Sequence, residues 1–89
     1  MADSTESILV TGASSAIGRA IAVHLAKDGY EIVVHYGRNR QNGEQTAQLV
    51  QQAGGQARLI SFNVADAAQC REQLEADIET HGAYYGVVC

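Results

Sequence analysis

The sequence predicts an α/β fold, a doubly wound parallel sheet with helices on its faces, from two observations. Short apolar runs rich in β-branched residues alternate with longer segments of helical period, the pattern of βαβ units. Between the first run and the first helical segment lies a turn of small residues, Gly12-Ala13-Ser14-Ser15-Ala16. The 89 residues allow one domain at most, since domains cluster at about 100–150 residues and smaller ones bury proportionally less surface.

Each element has its own signal. The first strand reads at 8–11, Ile-Leu-Val-Thr, and ends at Gly12; Ile17, Ile21 and Leu25 then fall four residues apart on one helix face, until Gly29 supplies a stop. The second strand reads at 31–36, Glu-Ile-Val-Val-His-Tyr. A polar loop at 37–42 leads into a Gln-rich helix that turns Ala47, Val50 and Ala53 inward before Gly54-Gly55. A third strand follows at 57–62. Asp66 is placed to cap the next helix, with Gln69 three residues on in capping-box position and Cys70, Leu74 and Ile78 as its apolar stripe. Gly82 closes that helix, and a fourth strand reads at 84–89, apolar to the last residue. Four strands and three helices make about half of a doubly wound nucleotide-binding fold. Residues 1–89 are therefore expected to be the N-terminal part of one Rossmann-type domain, truncated; a complete, very small α/β module is the alternative.

Composition narrows the function. With 46% apolar and 18% charged residues the chain has the makeup of a folded domain. Six basic against ten acidic residues, a net charge of −4, oppose a nucleic-acid partner. No apolar run approaches the ~20 residues needed to cross a bilayer, and the start, Met1 to Glu6, is acidic where a signal peptide is basic, so no membrane association and a cytoplasmic location are expected. Cys70 and Cys89 form neither a disulfide framework nor a metal site and read as small buried hydrophobes. His24, His35 and His81 read as structural, His81 complementing a helix dipole at its C-terminal end.

The turn carries the chemistry. At a strand-to-helix turn, free backbone N–H groups and the positive end of the helix dipole face outward, and small residues let a pyrophosphate approach the main chain. Gly12, Ser14, Ser15, Ala16, Ile17 and Gly18 are the candidate cofactor-binding residues: Gly12 frees the turn, Gly18 permits close helix packing and the serines offer donors. The spacing is not G-x-G-x-x-G, because Ser14 takes the second glycine position. Nor is it a P-loop, because Arg19-Ala20 follow Gly18. The competing reading is a tight βα turn with no ligand.

Thr11-Gly12-x-x-x-Ala16-x-Gly18 resembles the T-G-x-x-x-G-x-G turn of the short-chain dehydrogenase/reductases, and the resemblance runs through Asn63-Val64 to Gly86-Val87-Val88-Cys89. Within that family, the Ile-Gly-Arg-Ala-Ile-Ala rhythm at 17–22 is similar to that of the 3-oxoacyl-(acyl-carrier-protein) reductases. The departure is Ala16 for the middle glycine, a methyl group tolerated where φ is negative. The resemblance implies an oxidoreductase with a nicotinamide cofactor that reduces a 3-oxoacyl thioester on acyl carrier protein in fatty-acid-type biosynthesis, acting as a homo-dimer or homo-tetramer at full length. Another carbonyl substrate (a sugar, polyol, steroid or pterin) stays open, as does a non-catalytic nucleotide-binding fragment.

Cofactor choice is read at the end of the second strand, where an acidic side chain favours NAD and a basic one a 2′-phosphate. Tyr36 stands there with no carboxylate nearby, and the loop offers Arg38, Asn39 and Arg40. NADP(H) is expected, with Arg38 ahead of Arg40 as phosphate ligand. Ser15, however, stands where NADP-dependent relatives often carry Arg or Lys. Asn63-Val64 resembles the family's adenine-holding pair; the alternative is an Asn that starts the turn before Asp66. The family's catalytic Tyr-x-x-x-Lys helix and its Ser do not occur: the only lysine is Lys27, with Val23 four residues before it, so no residue of this chain is expected to be catalytic and none to bind metal.

Overall fold

The computed structural model describes residues 6–89; of the acidic stretch weighed against a signal peptide, Met1 to Thr5 lie outside the described residues. Along the chain run β1 (Ser7–Val10), α1 (Ala16–Lys27), β2 (Glu31–Tyr36), α2 (Arg40–Gln52), β3 (Ala57–Ser61), α3 (Ala67–His81) and β4 (Gly86–Val88). Every strand pair is parallel, in the order β3-β2-β1-β4. The first two crossovers step outward from β1. The third passes back over the sheet and lays β4 on the other side of β1.

The period-two alternation of a strand divides the core between the two faces. Ile8, Val10, Ile32 and Val34 point to one face, where Ala22 and Ala26 of α1 and Val50 of α2 cover them. Leu9 and Val33 point to the other, with Ile60 and Phe62, and meet Cys70 and Leu74 of α3. β1 and β2 are thus buried on both faces, which is why they read as unbroken apolar runs.

Several boundaries and faces differ from the sequence expectation. In α1 the stripe against the sheet is Gly18, Ala22 and Ala26, while Ile17 is 77% exposed. Small side chains let the helix axis approach the strands, and the larger Ile21 and Leu25 lie beside the contact, half-buried. α2 begins at Arg40, inside the expected loop, because the Asn39 side chain accepts from the Asn42 N–H and caps it. Its buried residues are Gly43, Thr46 and Val50. Asp66 caps α3, accepting from the Gln69 N–H at 3.0 Å, but the capping box is not closed. The Asp66 N–H is already donated to the Asn63 carbonyl, and the Gln69 side chain accepts from the Asn63 N–H instead. No residue of α3 is fully buried, and Ile78 is 39% exposed.

β1 and β3 end one residue early, and β4 pairs with β1 over Gly86–Val88, with the Tyr85 N–H donating to the Ser7 carbonyl at 2.7 Å just before it. Tyr85 stacks on Tyr30, and Tyr84 donates to Asp77 at 2.7 Å. The two cysteines are free; Cys70 is half-buried and Cys89 exposed, so Cys89 is not the buried hydrophobe expected.

The amino ends of the strands are tied by charge. Arg58 of β3 donates twice to Asp77 of α3, at 3.0 and 2.7 Å, and lies 3.3 Å from the Glu31 carboxylate at the start of β2. Burial pushes the Asp77 carboxyl up, but hydrogen bonds from Arg58 and Tyr84 and the Arg58 charge outweigh it and hold Asp77 below the usual carboxylate range. Burial, then the hydrogen bond to Asp77, pushes the Tyr84 phenol well up.

Candidate functional site

All the expected site residues sit at the carboxyl ends of the strands, and the sheet order reverses there between β1 and β4, the place where open α/β sheets bind ligands. The β1–α1 turn is built first by Gly12, whose φ of +65° is costly for any residue with a Cβ. Gly18 has no room for a side chain: a Cβ there would collide with the Gly12 carbonyl and sit 2.9 Å from the Ala13 Cα.

Hydrogen bonds then fix the turn from within. The Ser15 hydroxyl donates to the Gly12 carbonyl at 2.8 Å and accepts from the Gly18 N–H at 3.1 Å, which makes Ser15 the N-cap of α1. The Gly12 N–H donates to the His35 ring at 3.1 Å, and the Ala13 N–H to the His35 carbonyl at 3.0 Å. From α2, the buried Thr46 hydroxyl donates to the Ala13 carbonyl at 2.8 Å and accepts from Arg19 Nε at 3.0 Å. Among the described residues, no hydrogen bond occupies the N–H groups of Ser14, Ala16 and Ile17. Three open amides at the positive end of a 12-residue helix give a geometry suited to an anion. Ala16 fits it, since no residue other than glycine has a positive φ among those described.

Beside the turn a cleft of about 310 Å³ is lined by His35, Gly37, Arg38, Phe62, Asn63 and Val64. The His35 and Phe62 rings pack at 4.2 Å between centroids and form its floor. The Asn63 side chain accepts from the Ala65 N–H at 2.9 Å, so it also serves the turn before α3, while Val64 is 68% exposed. Arg38 is exposed on the rim and has no hydrogen bond to a described side chain.

Two expected residues are placed differently. The Tyr36 side chain is buried against Gly43 under α2 and does not line the cleft. Arg40 is held by Glu44 at 3.1 Å and donates to the Tyr36 hydroxyl at 3.3 Å, so of the two arginines only Arg38 is free for a ligand. Ser15 uses its hydroxyl as a cap, which leaves Ser14 as the open serine of the turn. The sequence alone does not single out His35, Arg19 and Thr46 as supports of the site. The available signal was His35 itself, a polar side chain in an otherwise apolar strand. Among the described residues no cluster fits a metal ion, and no helix is long and apolar enough to cross a membrane.

Known proteins share this fold. The family pattern of the short chain dehydrogenases matches residues 6–88. A 3-oxoacyl-[acyl-carrier-protein] reductase of Aggregatibacter actinomycetemcomitans is 46% identical over 84 residues, 94% of this chain and 35% of that protein. A solved structure of a promiscuous reductase that catalyses keto-reduction at C1 during lugdunomycin biosynthesis superposes with a TM-score of 0.80 at 30% identity, over 92% of this chain and 35% of that one. A second, from Burkholderia xenovorans and assigned to the short-chain dehydrogenase/reductases, reaches a TM-score of 0.87 at 23% identity, over 97% and 36%, and shows the fold. The chain spans about a third of the length of these three proteins.

Proposed function

The chain belongs to the short chain dehydrogenase family, and on that premise we propose that it supplies the adenosine and pyrophosphate site of an NADP(H)-dependent reductase. The observation that carries this reading is the pairing of two features on one edge of the sheet. The open amides of Ser14, Ala16 and Ile17 cap a cradle for the pyrophosphate, and the adjoining cleft, with Arg38 free on its rim, suits an adenine ring and a 2′-phosphate. Gly12 and Gly18 shape the cradle, and Asn63 and Val64 border the adenine. The bound dinucleotide supplies hydride; these residues hold and orient it.

The substrate we propose is a 3-oxoacyl thioester on acyl carrier protein, reduced to the 3-hydroxyacyl form in fatty-acid-type biosynthesis, because the reductase that is 46% identical over 84 residues is named for that reaction. A different ketone is the second reading, favoured by the 30% identity with a reductase named for lugdunomycin biosynthesis. In either case residues 1–89 form the N-terminal part of the cofactor domain of a cytoplasmic homo-oligomer. The test is titration of the purified protein with NADPH, followed by absorbance at 340 nm with a 3-oxoacyl thioester. Saturable binding without turnover is expected, since the sequence holds no Tyr-x-x-x-Lys. Folded protein that binds no NADPH overturns the reading.

A further inference from the structure

His35 is the least ordinary residue of the site. It is a buried imidazole, 3% exposed, in a strand whose other buried residues, apart from Tyr36, are aliphatic. The ring touches both parts of the cleft: Nδ1 lies 3.1 Å from the Gly12 nitrogen in the cradle, and Nε2 lies 2.9 Å from the carbonyl of Phe62, the residue before Asn63. These two partners fix the tautomer. A backbone N–H can only donate, so Nδ1 must carry a lone pair, and a carbonyl can only accept, so the single ring proton must be on Nε2. The opposite tautomer would set N–H against N–H and lone pair against lone pair in a buried site, leaving two unsatisfied contacts.

We infer that His35, locked as the neutral Nε2–H imidazole, is a positioning residue that sets the distance between the pyrophosphate cradle and the adenine cleft. β2 lies between β1 and β3, and the rigid ring reaches from it to the ends of both neighbours, so the Gly12 turn and the Phe62-Asn63 turn share one strut. The His35 carbonyl adds a third tie, accepting from the Ala13 N–H. With the Gly12 and Ala13 amides held inward by one residue, the free donors of the turn are those of Ser14, Ala16 and Ile17, so His35 also decides which amides face the ligand. The inference rests on the cofactor reading above.

Three substitutions divide the strut. His35→Asn keeps an acceptor near the Nδ1 position but is too short for Phe62; His35→Gln reaches toward Phe62 but leaves the Gly12 N–H alone; His35→Leu keeps the bulk and loses both. NADPH affinity, measured at a temperature where circular dichroism shows each variant folded, is expected to fall about tenfold for Asn and for Gln and about a hundredfold for Leu, one step per lost buried bond. In the ligand-free wild type, the ¹⁵N shifts of the His35 ring should report a protonated Nε2 and a bare Nδ1. A ring protonated on Nδ1, or a folded His35→Leu that binds NADPH like wild type, overturns the inference alone. A wild type with the expected tautomer that binds no NADPH overturns the cofactor reading and the inference with it.

Discussion

The two edges of the sheet are both polar and are built in opposite ways. At the amino edge, Glu31, Arg58, Asp77 and Tyr84 satisfy one another with their own charges and hydroxyls, and the ties run between β2, β3, α3 and the segment before β4. At the carboxyl edge, Ser15, His35 and Thr46 each bond to the backbone of the β1–α1 turn, His35 also reaching the Phe62 carbonyl, and the turn amides that remain are unoccupied. A closed network of side chains holds α3 to the sheet; an open network of backbone is left for a ligand.

Substitutions can separate the two edges. The largest stability loss should come from Arg58→Ala, about 3 kcal/mol, since it removes the cation from a carboxylate whose side chain is only 11% exposed and leaves it with the Tyr84 hydroxyl alone. Chemical denaturation reads that loss, and the folded variant should still bind NADPH with wild-type affinity. Gly18→Ala should cost about 2 kcal/mol by driving a methyl group into the Gly12 carbonyl and, unlike Arg58→Ala, should also lower NADPH affinity measured on the folded fraction. Arg38→Ala should leave thermal stability within experimental error and weaken NADPH about tenfold while sparing NADH, by isothermal titration. Arg40→Ala should change neither affinity, because its guanidinium is occupied by Glu44 and Tyr36.

A further effect concerns pH and again marks the amino edge. The Asp77 carboxyl is held below its usual value in the folded chain, so as pH falls the unfolded chain takes up its proton first. The stability Asp77 contributes is therefore fully present above about pH 4 and is lost as pH drops through its folded-state value. In urea titrations between pH 6 and 3, Asp77→Asn should flatten the acid decline of the wild type; an equally steep decline in the variant would detach this network from acid stability.

What was legible in the sequence was local. The alternation of strand and helix, the glycine turn and the Asp66 cap depend on residues a few positions apart, and each has a short-range signal. What was not legible depends on partners distant in the chain. Whether α1 packs through its small or its large residues is decided by how closely it approaches β1 and β2, and the helix alone has both stripes. Tyr36 and Arg40 looked like ligands at the end of a strand; the capping of α2 by Asn39 brings Arg40 onto Tyr36 and Glu44 and removes both from the cleft. His35 acquires its role only when β1 and β3 flank β2 and bring Gly12 and Phe62 to its two ring nitrogens. Arg58 and Asp77, 19 residues apart, meet only because α3 folds back over the sheet.

The most direct measurement is a calorimetric titration of the folded protein with NADPH and, separately, with NADH. Saturable binding of both, with NADPH the tighter by about tenfold through Arg38, is the expected result. Binding of neither, or a preference for NADH, would contradict the assignment of the carboxyl edge as an NADP(H) site.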